Sequence, residues 1–113
     1  MRRPFLLALI LLAACAPAPS APPAPPPPAP GEVQVDLLDF AFQPSTLRVA
    51  PETVVVFRNR GQAHHTATDE GGRFDSGLLA PGEEFRYAFK TPGTYRIFCR
   101  LHPYMVLSLE VGP

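Results

Sequence analysis

The segment "CRLHPYM", Cys99 to Met105, places a thiol, an imidazole and a thioether at intervals of three residues. The whole chain has only two cysteines, three histidines and two methionines, one of them the initiator. Singly, each has an ordinary explanation: a cysteine or methionine on an inward strand face fills core, and a loop histidine is solvated. Together with the adjacent pair His64 and His65, they make a ligand set of two imidazoles, one thiolate and one thioether. A thioether is a poor fourth ligand for zinc. Two imidazoles and a thiolate in a plane, with a weak axial methionine, instead suit copper in both oxidation states. Nucleophilic chemistry by Cys99 with His102 lacks an acidic orienter nearby in the sequence.

Such residues must be positioned by strands, because the apolar spacing through the region is two. "TYRIFC" puts Tyr95, Ile97 and Cys99 on one face with Arg96 opposite, and "MVLSLEV" aligns Met105, Leu107, Leu109 and Val111 against Ser108 and Glu110. Cys99 thus ends one strand and Met105 begins the next, both facing inward, so the loop between them is short and the two sulfurs converge. "VQVDL", "TLRV", "TVVVFRN" and "FRYAFK" supply further runs, in which Val33, Val35 and Leu37, and Phe85, Tyr87 and Phe89, face inward. Pro44, Pro51, Gly61, "EGG", "APG" and "TPG" mark the turns. Six to eight short strands and no capped helical period predict an all-β sandwich or barrel.

The first thirty residues lie outside that domain. "MRRPFLLALILLAAC" has a basic head and an apolar run too short for a lasting bilayer span, and reads as an export signal over 1–14. Leu12, Ala13, Ala14 and Cys15 resemble a bacterial lipobox, which implies a lipid on Cys15; "RRPFL" also resembles a twin-arginine signal, an export route that suits a lipobox less well. Residues 15–31 continue as "CAPAPSAPPAPPPPAPG", a segment that favours polyproline II and would reach on the order of 50 Å at about 3.1 Å per residue. The expected organisation is a signal peptide over 1–14, a lipidated cysteine and stiff linker over 15–31, and a folded domain over 32–113. The linker separates Cys15 from Cys99, which argues against a disulfide between them. The domain is then exported and held at a bacterial membrane, facing the periplasm or the cell exterior. Its lone thiol, in an oxidising compartment, calls for a role such as metal ligation.

The formal charge of the whole chain is zero; without Arg2 and Arg3 it is about −2, eight basic against ten acidic side chains. No basic patch points to nucleic acid.

From about Phe40 to Val111 the sequence resembles the cupredoxins, in particular the small plastocyanin and amicyanin group. "FAFQPSTLRV" looks like the early strands of that family and "VVFRNRGQAHHT" like the segment bearing its first histidine ligand. "SGLLAPGEEFRYAFKTPGTYRIFCRLHPYM" is the densest match, and its Cys-x-x-His-x-x-Met spacing is the short ligand loop of the amicyanin type. The resemblance implies a Greek-key sandwich or barrel of about seven to eight strands, one type 1 copper ion, and Cys99, His102 and Met105 as ligands. For the first histidine it points to His65, six residues after Asn59, with His64 solvated or tuning the site from outside. Adjacent strand residues face opposite ways, so only one of the pair turns inward.

Two positions depart from the family. Leu107 stands where a small residue is common, and Thr66 where an asparagine often ties the two ligand loops together. The resemblance also implies an apolar rim around His102, formed by Leu101, Pro103 and Tyr104 with Ala63 and the "LLAPG" turn nearby, through which a donor and an acceptor redox protein dock transiently. The reading is therefore a monomeric, membrane-tethered electron carrier, with a copper-binding lipoprotein for sequestration or delivery as the alternative. Enzymatic copper sites need histidines or a second loop thiol that this chain lacks, so no enzyme is expected.

Overall fold

The computed structural model describes residues 31–113; the expected signal peptide, Cys15 and almost all of the proline-rich linker lie outside the described residues. Eight strands follow in order: β1 (Glu32–Leu38), β2 (Ala41–Gln43), β3 (Thr46–Val49), β4 (Thr53–Asn59), β5 (Thr68–Asp69), β6 (Glu84–Phe89), β7 (Gly93–Phe98) and β8 (Val106–Val111). No helix occurs among the described residues.

The strands form two four-stranded sheets, ordered β2-β1-β4-β6 and β3-β8-β7-β5. Each sheet contains one parallel pair, β1 with β4 and β3 with β8, and the other pairs are antiparallel. This is the Greek-key sandwich implied by the family resemblance.

The inward faces follow the alternation read from the sequence. Val35 and Leu37 of β1, Val55 and Phe57 of β4, and Ile97 of β7 are all buried, as are Leu107, Leu109 and Val111 of β8. Burying each of these side chains contributes about 1.5–3 kcal/mol relative to exposure. Leu107, the residue larger than its family counterpart, is fully enclosed in this core. Phe74 lies outside any strand, yet it packs against Phe57, Phe85, Tyr87 and Phe89, with its ring centroid 4.2 Å from that of Tyr87. That aromatic stack fills the sandwich between the loop after β5 and strand β6.

The registers set up one end of the molecule. β1 and β4 run in parallel, Glu32 opposite Val54 and Leu37 opposite Asn59, so both strands finish at the same edge. β7 runs out there at Phe98 and β8 starts there at Val106, paired with Phe98. The Cys99–Met105 loop and the segment following Asn59 therefore meet at one end of the sandwich.

Candidate metal centre

Cys99 is the first residue beyond β7 and Met105 the last before β8, and three backbone hydrogen bonds close the loop between them. Cys99 N–H donates to Met105 O (3.2 Å), His102 N–H to Cys99 O (3.2 Å) and Met105 N–H to His102 O (2.8 Å). Pro103 has no N–H to place in this tight turn. Cys99 and Met105 are both buried, as their strand parity requires, while His102 sits at the turn, half-buried.

The first imidazole comes from the segment after β4. Asn59, buried at the end of that strand, donates its amide N–H groups to Ala63 O (2.9 Å) and Leu79 O (2.8 Å) and accepts from Gly61 N–H (2.9 Å). Its side chain thereby shapes the turn leading to the histidines. His65 and Leu79 then exchange a pair of backbone hydrogen bonds, 3.1 and 2.8 Å, which fix the chain where the imidazole departs. His65 is fully buried and His64 is exposed, so the two adjacent rings do point opposite ways.

His65, Cys99 and His102 form a cluster whose ligand atoms all lie within 4.8 Å of one another. Cys99 Sγ is 3.8 Å from Nδ1 of His65 and 3.8 Å from Nδ1 of His102. Metal–nitrogen and metal–sulfur bonds of about 2.05 and 2.3 Å spanning such a gap meet at an angle of about 120°, the angle of a trigonal plane. The spacing and the donor types therefore fit one ion held by two nitrogens and a sulfur. With the buried Met105 beside them, these residues are arranged as a type 1 copper site.

Surrounding groups hold the donors in place. Thr66 N–H donates to Cys99 Sγ at 3.4 Å and so ties the sulfur to the segment that carries His65. The Thr66 hydroxyl accepts from Arg100 N–H at 2.9 Å and also bonds the Thr68 hydroxyl at 2.9 Å. The shorter threonine therefore does link the two ligand segments, and it does so through backbone N–H groups. Among the described residues, no buried side-chain nitrogen or oxygen lacks a partner.

Sequence reasoning missed Asp39. This residue occupies the β1–β2 turn, 26 positions before His65, and its Oδ1 lies 2.9 Å from His65 Nε2. The carboxylate also accepts N–H bonds from Gln62 and Ala63, each at 3.0 Å. The Ala63 and Gln62 N–H groups, and then the His65 ring, bring the Asp39 pKa down from 3.8 to about 2. Nothing in the local sequence signals this contact, because it exists only where a hairpin turn meets a loop from another strand.

Phe40 was likewise absent from the expected rim. It is largely exposed, with a left-handed φ of 72°, and its ring meets that of His102 edge-on at 5.1 Å. Leu78, Leu101 and Tyr104 are exposed nearby in sequence to the ligand segments, as expected. Leu79 is not part of that surface: its backbone pairing with His65 turns its side chain into the core.

The chain matches the cupredoxin-like domain family over residues 5–108. It is 33% identical over 72 residues to the chloroplastic plastocyanin of Physcomitrium patens, covering 54% of this chain and 43% of the relative. To the chloroplastic plastocyanin of Fritillaria agrestis it is 37% identical over 75 residues, covering 55% and 45%. The matches thus span less than half the length of these relatives. Among solved structures, a reduced mutant form of amicyanin superposes with a TM-score of 0.69 at 22% identity, over 74% of this chain and 85% of that one. A copper-containing nitrite reductase from Thermus scotoductus SA-01 superposes with a TM-score of 0.67 at 28% identity, over 85% of this chain but only 25% of the enzyme. With its eight-stranded sandwich, its buried His-Cys-His cluster and the family match across most of its length, the chain belongs to the cupredoxin-like family.

Proposed function

We propose that this domain is a monomeric one-electron carrier that holds a single copper ion through Nδ1 of His65, Sγ of Cys99, Nδ1 of His102 and the thioether of Met105. When bound, the ion would alternate between Cu(I) and Cu(II) and so store and release one electron. The observation that carries this reading is the convergence of three ligand atoms within 4.8 Å, two of them on fully buried side chains.

The protein's own contribution is a rigid and dry pocket. His65 is fixed by its backbone pairing with Leu79, and Cys99, His102 and Met105 by the bonds that close their loop. Ligands that keep their places need not reorganise between oxidation states, and water is excluded from the thiolate. Soft sulfur and imidazole together accommodate both states of copper.

His102 is the half-buried member of the set and the natural exit for an electron. Around it Phe40, Leu101, Pro103 and Tyr104 expose apolar surface suited to brief contact with a donor and an acceptor protein. For the placement of the domain, the sequence supports export by residues 1–14, a lipid on Cys15, a stiff linker through residue 31, and a folded domain over 32–113 held at a bacterial membrane and facing the periplasm or the cell exterior. Fatty-acid labelling of the exported chain, lost in Cys15→Ser, tests the anchor.

The central experiment is addition of Cu(II) to the purified domain. An intense visible thiolate-to-copper absorption is expected with one equivalent, and Cys99→Ser abolishes it. Reversible one-electron voltammetry then marks a carrier. Colourless, weakly held copper would overturn the proposal in favour of a sequestering or delivering lipoprotein.

A further inference from the structure

We propose that Asp39 is a positioning residue for the metal centre, whose carboxylate fixes the tautomer of His65 and biases a bound copper ion towards the oxidised state. The inference rests on the copper reading of His65 given above. Its geometric basis is independent of that reading.

A neutral imidazole carries its proton on one ring nitrogen and offers the other as a lone pair. In His65, Nε2 faces Asp39 Oδ1 at 2.9 Å, while Nδ1 faces Cys99 Sγ at 3.8 Å. A carboxylate can only accept, so the proton belongs on Nε2 and the lone pair on Nδ1, directed at the centre. The ring is fully buried, so no water competes with the carboxylate for the Nε2 proton.

Asp39 is itself held. Its oxygens accept from Gln62 and Ala63 N–H, and a Cβ on Gly61 would come within 2.3 Å of Oδ1. The absence of a side chain at 61 is what lets the turn close over the carboxylate. A full negative charge is thereby placed one imidazole ring away from where the ion would sit, and there it would favour the higher metal charge. A merely structural Asp39 would tie the β1–β2 turn to the loop after β4 and do nothing more.

The substitution Asp39→Asn separates the two roles, since an amide oxygen can still accept from Gln62, Ala63 and His65 but carries no charge. At fixed neutral pH, the copper-loaded variant is expected to keep its colour while its preference for Cu(I) over Cu(II) rises at least tenfold, a positive shift of about 59 mV for a one-electron couple. Independently of copper, nitrogen NMR of the metal-free domain should show His65 as the Nε2–H tautomer, with the Nδ1–H form appearing in Asp39→Ala. An unchanged potential in Asp39→Asn, or an unchanged tautomer in Asp39→Ala, would overturn the assignment. Failure of the wild-type domain to form the coloured site would instead overturn the copper reading, and the NMR result would still decide the tautomer.

Discussion

Thr66 shows how much a single side chain can coordinate. Its N–H is directed at the Cys99 sulfur, and its hydroxyl accepts from the N–H of the next residue, Arg100. Replacing it with valine keeps the shape but leaves the Arg100 N–H and the Thr68 hydroxyl without that partner. An orphaned buried group costs about 1–3 kcal/mol. The metal-free domain should then melt several degrees lower, at roughly 4–8 °C per kcal/mol for a domain of this size. Thr66→Ser, which restores the hydroxyl, should recover most of the loss. Calorimetry of the three proteins checks this, and equal melting temperatures would show that the hydroxyl is not a tie.

At the scale of elements, the loop between β5 and β6 is fastened to the ligand loop through Asp75 and Arg100. The guanidinium approaches Asp75 with Nε at 2.7 Å, and Gly77 N–H donates to the same carboxylate at 2.8 Å. Partial desolvation works to raise the Asp75 pKa, but the bonds from Gly77 and Arg100 outweigh it and hold the carboxyl below its ordinary value of 3.8. A carboxyl held down in the folded state contributes its stability in full above its unfolded pKa and loses it as pH falls through the folded one. Urea midpoints of the metal-free wild type and Asp75→Asn should therefore differ at pH 6, and the gap should narrow as pH falls below 3.8. A gap that stayed constant would rule out the carboxylate as its source.

Strand alternation made the last hairpin legible in the sequence. Tyr95, Ile97 and Cys99, and the alternate residues from Met105 to Val111, face inward as a period of two requires. The short elements were harder to see: β5 has two residues and β2 three, too few for any period to show, and both exist because a longer neighbour offers an edge. Asp39 and Phe40 were hidden for a related reason. They occupy the turn that joins β1 to β2, and their importance comes from what that turn meets, which a local pattern does not encode.

For the whole molecule, the exposed Phe40, Leu78, Leu101 and Tyr104 predict how two copies would exchange electrons, with no need to know the partners. With His102 as the proposed electron exit, exchange between identical molecules brings these surfaces together, and a charge introduced there faces its own copy. Leu101→Lys should slow self-exchange of the copper-loaded domain by about tenfold at low salt, equivalent to about 1.4 kcal/mol of like-charge repulsion, with partial recovery as salt rises. Line broadening in NMR of mixed oxidation states measures the rate, and an unchanged rate would place the contact elsewhere.

The parallel pairing of β1 with β4 has one more consequence. β1 enters at Glu32 and delivers Asp39 to the metal end seven residues later, so at about 3.3 Å per residue the chain comes in roughly 23 Å away, at the opposite pole. Whatever lies upstream of Glu32 joins the domain at the pole remote from the histidines, so the anchor proposed above would leave the metal end facing away from its point of attachment.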